Sequence, residues 1–344
     1  MTKTNHSFLA ACRREQTSYT PVWLMRQAGR YMEDYRKLRA QHDFLELCKR
    51  PDLATEITVT PVDRLGVDAA ILFADILLIV EPMGVGLEYP KGDGPVIHRP
   101  VRSGKDIDSL NDFDPAQELT FVYDAVRKIR KTLDDKVPLI GFAGAPFTLA
   151  SYLIEGGGSR NYVHTKKLFY GAPEAWKRLM ERLAKVIAAY LNCQVAAGAQ
   201  AVQLFDSWAG CLTPGDYEQF ALPYTKAVID AITPGVPVIN FSTGTAGSLK
   251  QIRAAGGDVI GLDWRVNLDE GWATVGHDVA VQGNLDPVAL FASPKEIRSR
   301  AADILRRAAG RPGHIFNLGH GVLPETPAQN VVTLVEAVHE LSAK

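Results

Sequence analysis

The sequence has few cysteines and almost no excess of charge. Its four cysteines form no CxxC pair, and no histidine stands beside them at the spacing of a zinc site. They predict reduced thiols and no bound metal. Lys and Arg number 38 against 39 Asp and Glu, which leaves a net charge of −1. This balance indicates neither nucleic acid nor an anionic membrane surface as a partner.

Long hydrophobic runs are also missing. The most apolar run, residues 69–80, contains Asp75 and is shorter than the roughly 20 residues that span a bilayer. The N-terminal residues lack the pattern of a secretory signal. We therefore predict a cytoplasmic protein without a membrane span. No GxGxxG motif follows the first predicted strand, which disfavours a dinucleotide-binding sheet.

What the sequence does contain is a regular alternation of short apolar runs and longer helical patterns, which is typical of βα units around a parallel sheet. The predicted strands are residues 21–25, 69–73, 137–142, 201–205, 236–241, 259–262, 279–282 and 314–318. Helical patterns cover residues 119–133, 174–197, 214–232, 246–255, 294–309 and 328–342. Eight strands with intervening helices predict an α/β fold, a single (β/α)8 TIM-type barrel over residues 1–344. It has an N-terminal extension and a long excursion near 81–114, in which a small hairpin could form.

Polar residues follow every predicted strand. In a barrel of this kind, the active site lies at the carboxyl ends of the strands. Asp75 is the only charge in its apolar run, and His320 stands between two glycines. The others are Arg26 with Arg30, Tyr152, Asp206 with Ser207, Ser242, Asp263, and Asn284 with Asp286. Their recurrence predicts a functional site at this end of the barrel, which we call the mouth.

The densest group of charges is the arginine segment from Arg26 to Arg39, which also contains Arg30 and Arg36. Arginine stays charged and offers five fixed donors to carboxylate or phosphate, so the segment predicts an anion site. A solvated helix face is the alternative, because Arg26 and Arg30 are four residues apart. Gly29 lies between them and would let the chain or a ligand approach closely.

Several of these residues have structural alternatives. Asp75 could cap backbone N–H groups, but a carboxylate in an apolar run needs a partner, which arginines or a cationic substrate would supply. His320 and Tyr152 could be core residues. Ser207 lacks the G-x-S-x-G context of a nucleophile, so a hydrogen-bonding role is expected. For a further set of carboxylates a structural role is predicted, namely Glu155, Asp263 and Asp286.

Two segments carry a family resemblance. PVWLMRQAGRYM (21–32) and GFAGAPFTLASYLIEGGGS (141–159) resemble the signature segments of the uroporphyrinogen decarboxylase family. Shorter matches are FADIL (73–77), QLFDSWAG (203–210), GLDW (261–264), QGNLDP (282–287) and NLGHG (317–321). Together they cover nearly the whole chain. Glu33, where the family usually has proline, and Ala74, where serine is common, are the departures.

The resemblance implies a cofactor-free, homodimeric barrel enzyme of haem and porphyrin biosynthesis. Its reaction removes CO2 from the four acetate side chains of uroporphyrinogen III and gives coproporphyrinogen III. By position, the family's substrate-binding residues fall on Arg26, Gln27, Ala28, Gly29, Arg30, Asp75, Tyr152, Ser207 and His320. Of these, Asp75, Arg26, Arg30, Tyr152 and His320 are the predicted catalytic residues.

The chemistry suits such residues. A pyrrole protonated on a ring carbon becomes an iminium-like cation, which accepts the electron pair as CO2 leaves. An ionised Asp75 facing the pyrrole N–H groups would stabilise that cation. A charge pair about 4 Å apart at an effective dielectric near 20 contributes about 4 kcal/mol, or roughly a thousandfold in rate.

Two other functions fit parts of the pattern. One is a methyltransferase of the related corrinoid group, which would hold zinc with His and Cys, although no cysteine stands near His320. The other is a tetrapyrrole-binding protein without turnover. Asp75, Tyr152 and His320 argue against the second.

Overall fold

Seven short parallel strands form the centre of the protein. The computed structural model describes residues 6–90 and 94–344, so parts of the predicted N-terminal extension (1–5) and excursion (91–93) lie outside the described residues. The described residues contain nine strands, of which β2 and β3 form a separate hairpin: β1 (Ala70–Ile71), β2 (Leu87–Glu88), β3 (Val96–Ile97), β4 (Leu139–Gly144), β5 (Ala201–Asp206), β6 (Val238–Ser242), β7 (Val259–Gly261), β8 (Ala280–Gln282) and β9 (His314–Ile315). The sheet order is β1-β4-β5-β6-β7-β8-β9, with each strand parallel to the next.

Residues 21–23 lie between the two edges of this sheet. Val22 forms a parallel bridge with Phe316 beyond β9, and Phe316 N donates to Pro21 O at 2.8 Å. On the other side, Asp68 N donates to Val22 O at 2.8 Å, next to β1. This closing segment occupies the eighth position and makes the sheet a closed barrel.

The sequence predicted a full strand over 21–25, and that prediction is wrong in extent. The backbone ladder stops because side-chain oxygens accept the hydrogen bonds of the next two backbone N–H groups. Leu24 N donates to Gln27 Oε1 at 3.0 Å, and Met25 N donates to Asn317 Oδ1 at 3.1 Å. Seven strands and one bridge, rather than eight strands, therefore form the barrel wall.

Helices surround the sheet and cover its outer face. They are α1 (Ser7–Cys12), α2 (Glu33–Gln41), α3 (Phe44–Lys49), α4 (Pro51–Leu65), α5 (Gly104–Asp108), α6 (Pro115–Glu118), α7 (Thr120–Leu133), α8 (Pro146–Glu155), α9 (Val163–Gly171), α10 (Pro173–Ala197), α11 (Pro214–Phe220), α12 (Leu222–Asp230), α13 (Leu249–Ala255), α14 (Leu268–Val275), α15 (Pro294–Ala308) and α16 (Ala328–Ser342). Within the described ranges, no helix is both long and apolar enough to cross a membrane.

Two predicted helices differ from the structure. The pattern over 214–232 is two helices, α11 and α12, because the backbone at Ala221 leaves helical geometry and Pro223 begins the second one without an N–H. The pattern over 246–255 starts as a 3-10 turn, Ala246–Ser248, and becomes α-helical at Leu249.

The interior of the barrel is filled by large apolar side chains, as the nearly continuous hydrophobicity of the strands predicts. Trp23, Ile140, Ile239 and Ile315 pack there together with Phe8 of α1. A second, larger cluster lies between the sheet and the helices. In α7, for example, Val122, Val126, Ile129 and Leu133 are buried at helical spacing.

The excursion after β1 contains the hairpin that the sequence left open. A 3-10 helix, Leu78–Met83, leads into the antiparallel pair β2–β3, in which Leu87 is opposite Ile97. Ile97 N donates to Gly156 O at 2.9 Å, at the end of α8. The hairpin is thereby attached beside the mouth of the barrel.

Candidate active site

Arg26 is the first residue of the mouth. Its backbone is left-handed, with φ +62°, a conformation that costs a non-glycine residue about 1 kcal/mol or more. The turn directs its exposed side chain against Gly321, where a Cβ would lie 2.7 Å from Arg26 Cγ. The glycine after His320 therefore leaves the space that the Arg26 side chain occupies.

Gln27, the next residue, faces the interior instead. It is 1% exposed; its Oε1 accepts from Leu24 N, and its Nε2 donates to Ala69 O at 3.1 Å. Its side chain is thus committed to holding the turn. Ala28 and Gly29, which follow, are partly exposed.

The four arginines of the segment divide into two pairs. The Arg36 guanidinium donates to Arg30 O and Tyr31 O at 2.9 and 2.8 Å, and Arg39 donates to His42 O at 2.7 Å. Arg26 and Arg30 are exposed, and in the described part of the chain neither guanidinium forms an ion pair or hydrogen bond. Arg36 and Arg39 hold the local backbone, whereas Arg26 and Arg30 are open to an anion.

Asp75 lies in the turn after β1 and is held by one oxygen. Its Oδ1 accepts from Leu77 N at 2.8 Å and from the Tyr89 hydroxyl. Burial raises the pKa of Asp75 above its ordinary value, while these two hydrogen bonds and the charge of Arg26 oppose the rise. The sequence predicted arginines or a cationic substrate as the partners of Asp75, with capping of backbone N–H groups as the structural alternative. Among the described residues no arginine is within 4 Å, and a tyrosine supplies the contact.

Tyr152 projects from α8 and stacks on Trp208, with ring centroids 3.7 Å apart. Burial and the charge of Asp75 raise the pKa of Tyr152 to about 12, against a lowering effect of Arg26, so its hydroxyl stays protonated. The neighbouring Ser207 is partly buried, and its carbonyl accepts from Thr243 Oγ1 at 2.6 Å.

His320 follows β9 and is partly buried. Burial lowers the pKa of His320 to about 4, helped by the charges of Arg26 and Arg265 and opposed by Asp263. Its ring meets Trp264 edge-on at 6.4 Å. The imidazole is therefore neutral near pH 7, with one N–H donor and one acceptor nitrogen.

The charge of Arg26 connects these residues. It lowers the pKa of Asp75, Tyr152 and His320, which come from three different parts of the sheet. The fold thus brings four of the five predicted catalytic side chains to one mouth. Arg30 lies on the same turn as Arg26, and Ser207 precedes the tryptophan on which Tyr152 stacks.

Tyr89 is a group at the mouth that was missed from the sequence, because it lies in the excursion, where no periodicity marks it. Thr148, Asp206 and Trp208 follow predicted strands, but the contacts among them were not predicted. Thr148 Oγ1 donates to Asp206 Oδ1 at 2.6 Å and accepts from Trp208 N at 3.2 Å. Burial raises the pKa of Asp206 to about 6.

The carboxylates predicted to be structural accept hydrogen bonds from the protein. Glu155 accepts from Thr165 N at 2.8 Å, Asp263 from Gly244 N at 2.6 Å, and Asp286 from Val288 N at 2.9 Å. Among the described side chains, no three His, Cys, Asp or Glu residues are grouped so that they could hold a metal ion.

Comparison with known proteins shows the family of this chain. The family model described as uroporphyrinogen decarboxylase (URO-D) matches residues 3–341. The chain belongs to the uroporphyrinogen decarboxylase family. The uroporphyrinogen decarboxylase of Carboxydothermus hydrogenoformans is 57% identical over 340 residues, 98% of this chain and 97% of the relative. That of Solibacter usitatus is 55% identical over 97% of this chain and 96% of its own length.

Solved structures share the fold of this uroporphyrinogen decarboxylase family member. A methyltransferase from Methanosarcina mazei superimposes with a TM-score of 0.81 at 19% identity, covering 97% of both chains. A putative vitamin-B12 independent methionine synthase from Listeria monocytogenes gives 0.59 at 11% identity, over 96% of this chain and 98% of its own. With the family match, these likenesses confirm the predicted barrel.

Proposed function

We propose that the protein is a decarboxylase that removes CO2 from the four acetate side chains of uroporphyrinogen III in porphyrin biosynthesis. Membership of the family supports the activity and the substrate. The observation that carries the mechanism is the arrangement of charge at the mouth. Asp75 has one oxygen held by the protein and, among the described residues, no hydrogen bond to the other, while Arg26 and Arg30 lack a protein anion.

The two arginines bind substrate carboxylates. Uroporphyrinogen carries eight of them, and a guanidinium can hold a carboxylate through two parallel N–H···O bonds. Because Arg26 and Arg30 are not paired within the described residues, their donors need not leave a protein partner first. Arg36 donates to the carbonyls of Arg30 and Tyr31, which holds the backbone that carries Arg30.

Asp75 stabilises the reacting ring. Its Oδ2 accepts the pyrrole N–H groups, and its charge is opposite to the cation that forms when a ring carbon is protonated. The C–C bond to the carboxylate then breaks, and its electron pair neutralises the ring cation as CO2 leaves. Protonation of the exocyclic carbon then gives a methyl group, and loss of the proton first added to the ring carbon restores the pyrrole. In this mechanism the substrate serves as its own electron sink, so the chain needs no cofactor.

The remaining groups act as neutral hydrogen-bonding partners. Tyr152 keeps its proton, so it does not compete with Asp75 for the ring cation. His320 stays uncharged, so it does not repel that cation. The Ser207 hydroxyl is a further donor beside Tyr152. Together they bind carboxylates or the reacting ring without adding charge next to the developing cation.

Turnover of reduced substrate is the direct test. We expect purified protein, incubated anaerobically with uroporphyrinogen III, to release four CO2 in steps that mass spectrometry resolves. Retention of all eight carboxylates would overturn the assignment and leave a tetrapyrrole-binding protein. Stoichiometric zinc together with methyl transfer would favour the corrinoid-related alternative.

The role of Asp75 gives the first specific prediction. Asp75→Asn keeps the size of the side chain and removes its charge, so we expect kcat to fall about a thousandfold, the rate equivalent of about 4 kcal/mol. Glu155→Gln is the matched control, because Glu155 binds Thr165 and not the mouth. Equal losses in the two variants would contradict the role assigned to Asp75.

The resemblance further implies a homodimer, and the sequence predicts a cytoplasmic location. Both stay predictions. Light scattering of the purified protein tests the first, and a mass of one subunit, 37.6 kDa, at assay concentration would contradict it.

A further inference from the structure

The β2–β3 hairpin places a tyrosine on the carboxylate that the mechanism uses. Tyr89 directly follows β2, and its hydroxyl donates to Asp75 Oδ1. The same oxygen accepts from Leu77 N, so both protein donors bind one side of the carboxylate. Among the described residues, Oδ2 has no hydrogen-bond partner. The two hydrogen bonds therefore hold the carboxyl group in one orientation and leave Oδ2 available to a ligand.

Packing fixes Tyr89 independently of Asp75. Its ring lies against Phe44 at the start of α3, with centroids 4.8 Å apart and planes at 56°. Phe44 in turn meets Phe73, at the end of the β1 run, edge-on at 6.1 Å. Burial and the charge of Asp75 raise the pKa of Tyr89, so its hydroxyl remains a donor throughout the physiological range. The ring is thus held by Phe44, while its hydroxyl donates a hydrogen bond to Asp75.

We propose that Tyr89 is a positioning residue for Asp75, holding Oδ1 so that Oδ2 faces the bound pyrrole and the carboxylate stays ionised. The inference rests on the proposed function, because it assumes that Asp75 binds the reacting ring. It extends that function by assigning a role to the hairpin, which the family motifs quoted above do not include.

The surroundings of Asp75 determine what removal of the hydroxyl does. The Tyr89 hydroxyl and Leu77 N–H favour the charged form, as does Arg26 in the turn after the closing segment. Within residues 6–90 and 94–344, the other titratable groups that interact with it are Cys48 of α3, Tyr152 of α8 and Tyr190 of α10, whose pKa values are all raised. These three are neutral near pH 7. Tyr89 is therefore one of few contacts that favour the ionised carboxylate against its burial.

The test is Tyr89→Phe, which keeps the ring on Phe44 and deletes the donor. Loss of the bond raises the pKa of Asp75, so the acid limb of kcat/KM for uroporphyrinogen should move up by about one pH unit, the size of one charge-assisted hydrogen bond. We expect kcat at neutral pH to fall about tenfold with little change in KM, and to recover partly at higher pH. 3-Fluorotyrosine at position 89 is a stronger donor and should move the limb to lower pH.

Tyr170→Phe is the matched control. The Tyr170 hydroxyl also donates to a carboxylate, Asp216 Oδ2 at 3.0 Å, but its side chain is 60% exposed and away from the mouth. We expect its pH profile to equal that of the wild type, including any titration of the substrate.

The outcomes separate the inference from the proposed function. If Asp75→Asn is inactive while Tyr89→Phe matches Tyr170→Phe at every pH, the positioning role is wrong and the function stands. If the wild type itself does not decarboxylate uroporphyrinogen, the function fails. Should Tyr89→Phe be too unstable to assay, the fluorinated protein decides, and an acid limb that does not move would overturn the role.

Discussion

Charge and neutrality are divided among the residues of the mouth. Asp75, Arg26 and Arg30 carry charge, whereas burial holds Tyr152 and His320 neutral; the charge of Arg26 adds to this effect at His320 and opposes it at Tyr152. An imidazolium at His320 would repel the ring cation that the proposed reaction forms. The pH dependence of turnover near neutrality should therefore come from Asp75 and the substrate and not from histidine.

Buried histidine also predicts how stability depends on pH. Burial lowers the pKa of His314 to about 4, against a reference of 6.5. Between these values the unfolded chain binds a proton that the folded one does not, so stability falls as the pH drops from 6.5 to 4. The loss from His314 reaches about 3 kcal/mol. Urea titrations should show it, and His314→Gln should flatten the slope.

His277→Gln is the control for that measurement, because His277 is exposed. Its stability should fall with pH as steeply as that of the wild type. If His314→Gln kept the full wild-type slope, the acid sensitivity would have to be assigned to other groups.

For single residues, the sequence indicated which side chains are candidates for the site better than it indicated which side chains they contact. A lone Asp in an apolar run and a His between glycines were recognisable, because a buried charge or a close approach of two segments shows in the neighbouring residues of the sequence. The partner of Asp75 was not, since Tyr89 reaches it from a hairpin that carries no periodicity. The neutrality of His320 follows from burial, helped by Arg26 and Arg265, and only the three-dimensional fold produces that burial and brings the two arginines near it.

Among the elements, the loop after β9 has the tightest contacts with the mouth. A Cβ at Gly319 would overlap the backbone N of Trp264, and one at Gly321 would overlap the Arg26 side chain. The loop therefore sets the position of His320 and of the first arginine at once. Its glycines are required by proximity, because neither has a left-handed backbone.

Gly321→Ala tests this close packing. The new methyl group would push the Arg26 guanidinium out of place, and we expect kcat/KM for uroporphyrinogen to fall about a hundredfold, as a displacement near 1 Å can cause. Gly215→Ala is the control, because Gly215 has nothing within 4 Å of its added Cβ. A Gly321→Ala enzyme with wild-type kcat/KM would show that Arg26 can move without loss.

Element prediction succeeded where periodicity is strong and failed where side chains replace backbone pairing. The interior strands were found because they are buried on both faces. The extent of the first strand was wrong because Gln27 and Asn317 satisfy N–H groups that the apolar run assigned to a ladder. The long excursion was recognised by composition, but its hairpin position follows from a contact with Gly156.

At the face opposite the mouth, Asp68 connects three distant parts of the chain. Its Oδ1 accepts from the Tyr19 hydroxyl at 2.7 Å, and its Oδ2 accepts from Val22 N at 2.7 Å. His339 of α16 also contacts Oδ2 at 2.8 Å. One carboxylate thereby joins the closing segment, the beginning of the sheet and the last helix.

Asp68→Ala should weaken the barrel without altering its chemistry. Removing this largely buried acceptor leaves several groups unpaired, and we expect the free energy of unfolding to fall by about 3 kcal/mol. Turnover per folded molecule should be unchanged, since Asp68 lies at the start of β1. Denaturant melts beside activity assays measure both quantities.

The comparison for that variant is Asp112→Ala. Asp112 pairs with Arg182 at 2.7 Å, but its side chain is 97% exposed. The change in stability should lie within about 0.5 kcal/mol. Similar melts for the two variants would contradict the role of Asp68 in holding the barrel closed.

Closure by residues 21–23 has a consequence for folding during synthesis. The bond from Met25 N to Asn317 spans 292 residues, and that from Thr20 N to Ser342 spans 322. The barrel residues that leave the ribosome first can therefore form these hydrogen bonds only after the last ones have been synthesised. Until then, both edges of a growing parallel sheet are unpaired and can bind another nascent chain. Contacts between residues so far apart in the sequence predict slow folding.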